Sequence, residues 1–130
     1  MQHSSSDEWT NIGSLSGYSG ENLYMSSSKN TDGAGKSATQ LWYDEIANYD
    51  FSTGASSNGE VIGHFTQLVW KKSTKVGFGL GVSDSGTYVC ANYYLGGNYG
   101  GEYLDNVMPL SSSTNLKISS YIIILLILVF

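Results

Sequence analysis

One cysteine, one proline and six basic residues are all that this 130-residue chain has of those types. A lone cysteine, Cys90, cannot form an internal disulfide, so the chain is not a small scaffold stapled by bridges. It also cannot build a zinc site on thiolates; a metal here must take histidine and carboxylate ligands. Six Lys and Arg stand against eleven Asp and Glu, for a net charge of −5, and the only basic cluster is Lys71-Lys72. That balance excludes a phosphate-reading surface, and with it a nucleic-acid partner. The opening stretch MQHSSSDEWT has no apolar run, so no secretory leader is expected within the chain. Nor is there a run of about 20 apolar residues, the length a membrane-spanning helix requires.

What is present reads as one folded domain. The composition is 41% hydrophobic and 13% charged, with ten tyrosines and sixteen glycines. SGENLYMSS predicts a short strand or a turn of helix. Residues 37–49 carry apolar positions at Ala38, Leu41, Trp42, Ile46 and Tyr49, spaced as a helix. Ser37 and Gln40 offer a capping box at its start. A second helix is expected over 61–72, with Val61, His64, Phe65 and Leu68 on one face. Residues 76–82, VGFGLGV, alternate apolar residues with glycine and predict a strand with one apolar face and one bare face. SDSG turns the chain into a second strand over 87–94, making a hairpin. LGGNYGG is a glycine loop.

Two polar residues stand on faces that ought to be apolar. Glu45 fills a gap in the stripe of the first helix, and His64 lies beside Phe65 and Leu68 in GHFTQLVWKKS. Burying either is costly without a partner. The other histidine is His3, and Glu21 in GENL is a further carboxylate among small and apolar neighbours. Two His and two Glu suffice for a transition-metal site or for acid–base work. Each also has a plain structural reading: a hydrogen-bonded core histidine, a carboxylate reaching a backbone N–H, a loop residue capping local amides, a frayed terminus. Spacing alone does not join the four.

GHFTQLVWKKS resembles a signature of the CAP superfamily, the sperm-coating, pathogenesis-related and venom-allergen proteins. SGENLYM, WYDEIANYDF and YVCANYYLGGNYGGEYLDNV resemble further family segments, and QHS resembles the His-Ser that closes an early helix. The match runs from His3 to about Leu110 and is nearest the Golgi-associated plant pathogenesis-related type. The resemblance implies an α–β–α sandwich with a small, mainly antiparallel sheet, whose first helix is missing from this chain. It implies a central cleft holding His3, Glu21, Glu45 and His64, with zinc bound by the two histidines and the glutamates nearby. It further implies a non-enzymatic secreted or cell-surface protein that binds a sterol, another lipid or a protein partner. The alternative is a zinc-dependent hydrolase in the same cleft, with Glu45 or Glu21 as the base. Tyr93, Tyr94, Tyr99 and Tyr103 form a candidate contact surface, although core and turn roles account for at least two of them. Leu95 stands where the second signature usually has proline.

The domain boundaries that follow are 1–110 for the CAP domain, 111–120 for a Ser-rich polar spacer and 121–130 for an apolar tail, YIIILLILVF. The tail is too short to span a bilayer. Small residues, a polar spacer and an apolar end follow the order of a glycosylphosphatidylinositol signal, so membrane association through the tail is expected.

Overall fold

A computed structural model describes residues 19–110. His3, the spacer and the apolar tail lie outside the described residues, and so do the expectations attached to them. Within them, β1 (Gly20–Ser26), α1 (Ala34–Asp44) and a 3-10 turn (Glu45–Asn48) lead into two short strands, β2 (Tyr49–Asp50) and β3 (Ala55–Ser56). Then come α2 (Gly63–Leu68), the hairpin β4 (Lys75–Ser83) and β5 (Gly86–Tyr94), and a final turn of helix, α3 (Tyr103–Asn106). No helix among the described residues is long and apolar enough to cross a membrane.

The main sheet is antiparallel in the order β1-β5-β4. Strand alternation decides its two faces. From β5, Thr87, Val89, Ala91 and Tyr93 are buried while Tyr88, Cys90, Asn92 and Tyr94 are half-buried. The buried set meets Ala34, Ala38 and Trp42 of α1, which makes the first core cluster. The second cluster gathers Tyr49, Phe65, Trp70 and Val107. Here Phe65 sits edge-on or tilted to Tyr43, Tyr49 and Phe51, with ring centroids 5.7 to 6.3 Å apart. Such offset geometry suits the ring quadrupoles. α1 and α2 thus pack on one face of the sheet, and the loop after β5 closes the end.

The elements depart from the sequence pattern in instructive ways. α1 begins at Ala34, not Ser37, behind Gly33 in the left-handed region (φ 70°); no side chain caps it. The capping box therefore does not form, and Gln40 instead donates to Asp44 at 2.7 Å. Its buried stripe is Ala34, Gly35, Ala38 and Trp42, which leaves Leu41 exposed. α2 is only six residues long. Val61 lies exposed before it, and the Lys71 amide turns away to donate to the Asn106 carbonyl. That exit lets Trp70 enter the second core, where it meets Tyr103 edge-on at 5.4 Å. The hairpin is as predicted, but β4 is the edge strand, and of its apolar residues Phe78 packs against the first core cluster. Val76, Leu80 and Val82 stay exposed.

A candidate metal-binding cleft at His64

The 3-10 turn after α1 aims Glu45 at the start of α2, where backbone amides lack intrahelical partners. Glu45 Oε2 accepts from the His64 amide at 2.9 Å and from the Phe65 amide at 3.1 Å. Glu45 Oε1 lies 2.7 Å from His64 Nδ1. One carboxylate therefore caps a helix and orients its histidine at the same time. Burying it, with the side chain 16% exposed, is offset by these three bonds. With Nδ1–H donated to Glu45, the neutral ring keeps its lone pair on Nε2. The imidazole also lies nearly parallel to the Trp42 indole, 6.4 Å between centroids and 12° between planes, and remains 32% exposed.

Asn22 secures the same helix from the sheet. Its Nδ2 donates to the His64 carbonyl at 3.0 Å and to the Tyr93 hydroxyl at 3.2 Å. Burial pushes the Tyr93 phenol well above its usual value, against the opposing pull of the Asn22 bond. Asn98, in the left-handed region at φ 64°, donates to the Gly63 carbonyl at 2.9 Å and bonds Thr66 Oγ1 at 2.6 Å. Gln67, 2% exposed, accepts the Gly97 amide at 2.7 Å and donates to Ser73 Oγ at 3.2 Å. These bonds dock the glycine loop against α2. The sequence pattern missed Asn22, Asn98 and Gln67 as supports. The available signal was an amide residue directly beside a glycine or a leucine, as in GENL, GGNYGG and TQLVW.

Of the four residues singled out from the sequence, the structure joins Glu45 and His64. His3 lies outside the described residues. Glu21 follows the opposite parity from Asn22 on β1, so it faces the other side of the sheet. There the Cys90 thiol donates to Glu21 Oε2 at 3.4 Å, and Asn92 Nδ2 donates to the sulfur at 3.2 Å. Burial, followed by the Glu21 charge and its hydrogen bond, pushes the Cys90 thiol up to about 11, so it is a poor nucleophile. Among the described residues, no three of His, Cys, Asp and Glu gather closely enough to hold a metal ion. Glu21 therefore does not complete a three-ligand set with Glu45 and His64. The described donors fit a metal in one respect, through an imidazole with a free Nε2 backed by a carboxylate on Nδ1, the arrangement that orients histidine ligands.

Of the four tyrosines, Tyr93 is buried in the first core cluster and Tyr103 packs on Trp70. Lys75 Nζ lies 5.8 Å over the Tyr94 ring, and Tyr99 is exposed.

This fold and pair have clear relatives. Residues 1–99 match the CAP family, described as the cysteine-rich secretory protein family. The chain belongs to that family. It is 40% identical over 96 residues to the human Golgi-associated plant pathogenesis-related protein 1, covering 72% of this chain and 59% of that protein. It is 45% identical over 76 residues to Protein PRY2 of Saccharomyces cerevisiae, covering 57% of this chain and 22% of that protein. The chain thus spans from about a fifth to three fifths of the length of these two relatives. The crystal structure of NaASP2 with Zn2+ superposes with a TM-score of 0.59 at 30% identity, covering 90% of this chain and 62% of that one.

Proposed function

We propose that this chain is a non-enzymatic binding module of the CAP family, which recognises a sterol, another lipid or a protein partner and can hold zinc at His64. The proposal extends to an extracellular or cell-surface location. The observation that carries it is the complete use of the Glu45 carboxylate. Both oxygens are engaged, one by His64 Nδ1 and one by two backbone amides. A carboxylate so committed presents a ligand well, but it is a poor general base, since taking a proton would release the helix cap. Glu21, the other candidate base, is engaged with Cys90. His64 Nε2 is the donor atom for zinc, and His3 is the second imidazole in this reading. Bound zinc would supply a fixed positive charge that links the two imidazoles. Glu45 would hold the His64 ring in register, and Trp42 would limit its rotation. The solved zinc complex of NaASP2 supports the reading by kinship.

The test is a comparison of binding with turnover. The full chain should bind a fluorescent sterol or phospholipid vesicles, or retain a partner in a cross-linking screen, and show no peptide hydrolysis above blank with zinc present. Zinc-dependent peptide turnover that disappears in Glu45→Ala would instead establish the hydrolase.

A further inference from the structure

We propose that two copies of this chain associate through the outer edge of β4, antiparallel, so that two three-stranded sheets become one six-stranded sheet. β4 pairs with β5 without a break from Lys75–Tyr94 to Ser83–Gly86, and among the described residues its other edge has no strand partner. Proteins ordinarily protect such an edge with charge, proline, a bulge or shortness. β4 is nine residues long, has no proline and no bulge, and bears a single charge at Lys75. It also keeps Val76, Leu80 and Val82 between 44% and 51% exposed, while Phe78 of the same row packs against the first core cluster.

The strand is complementary to itself. A two-fold axis at Gly79 is the one register that pairs all nine residues. It sets Val76 opposite Val82 and Phe78 opposite Leu80, so every apolar side chain meets another across the junction. On the other face, Gly77 meets Gly81 and Gly79 meets its own copy. A Cβ at 77, 79 or 81 would meet nothing within 4 Å, so that face offers no steric bar to a neighbouring strand. Charge agrees with the register. Lys75 lands opposite Ser83 of the second copy, next to its Asp84, a fully exposed carboxylate that makes a long contact with Lys29 at 3.4 Å. Both ends of the junction gain this opposite-charge pair.

Cysteine cross-linking of the full chain in a Cys90→Ser background tests the register; Cys90 must go because it stands opposite Gly79 within the hairpin. Gly79→Cys should form a disulfide-linked dimer under mild oxidation. Gly77→Cys should not, because its copy would lie about 13 Å away along the strand, beyond the reach of a disulfide. Leu80→Lys added to Gly79→Cys should abolish the cross-link while leaving the circular dichroism spectrum unchanged. Equal cross-linking at 77 and 79, as association through the apolar tail would give, overturns the proposal. So does a monomer with no cross-link, whether the β4 amides exchange freely or are protected by residues 111–130 of the same copy.

Discussion

Glu45 Oε1 lies 2.7 Å from His64 Nδ1, although the two stand nineteen positions apart in the chain. The partner oxygen of the same carboxylate holds the two amides that open the helix carrying that histidine. Position of the ring and stability of the helix are therefore coupled through one side chain.

Glu45→Ala should cost about 2–4 kcal/mol, since it leaves two amides and a ring N–H without partners in a half-buried site. Glu45→Gln should cost less, because an amide oxygen still accepts one of the bonds. His64→Ala should cost least of the three, because the cap survives. Urea unfolding of the three variants checks the order; a larger loss in His64→Ala than in Glu45→Ala would contradict it.

The neutral imidazole of His64 should be the Nδ1–H tautomer. Long-range proton–nitrogen correlation spectra should show a pyridine-like Nε2 in the wild type. They should show exchange between tautomers in Glu45→Ala.

Stability should fall as pH rises above 9. Burial and the Glu21 charge raise the Cys90 thiol from an ordinary value of 9.0 to about 11, so the folded state holds a proton that the unfolded chain releases. The raised Tyr93 phenol acts in the same direction. The contribution is full below pH 9 and lost by about pH 11. Alkylation of Cys90 by iodoacetamide at pH 8 should be slow, and Glu21→Gln should speed it by lowering the thiol toward its ordinary value.

Glycines of β4 and of the connecting turns should differ sharply in tolerance. A Cβ on Gly97 would lie 2.7 Å from Trp70 Cγ, and one on Gly86 would strike the Ser26 carbonyl at a φ of 139°. Alanine at either should cost about 2 kcal/mol or more, whereas Gly77→Ala, with open space around it, should change stability by no more than about 0.5 kcal/mol. Thermal melts of the three variants decide this.

Much of the fold was legible in the sequence because it is local. Strict alternation in VGFGLGV, the SDSG turn and the β-rich run TYVCANYY together predict a hairpin, and the glycines mark which face is bare. The start of α1 was not legible, because Gly33 rather than Ser37 supplies the turn into it and Trp42, not Leu41, faces the sheet. The length of α2 was hidden for a similar reason: the Asn106 carbonyl, far along the chain, diverts the backbone at Lys71. At the site, helical spacing marked Glu45 and His64 as misplaced polar residues but could not pair them, since their contact depends on how the 3-10 turn meets α2. The family resemblance placed Glu21 in the same cleft. In the structure, the parity of β1 turns Glu21 toward Cys90 and Asn22 toward His64.

The central claim is that His64 presents Nε2 as a metal ligand while Glu45 steadies the ring from behind. Calorimetric titration of the full chain with zinc tests it most directly. The account predicts one site that is lost in His64→Ala and in His3→Ala, and weakened about 10- to 100-fold in Glu45→Gln. Zinc uptake that is the same in wild type and His64→Ala would contradict it.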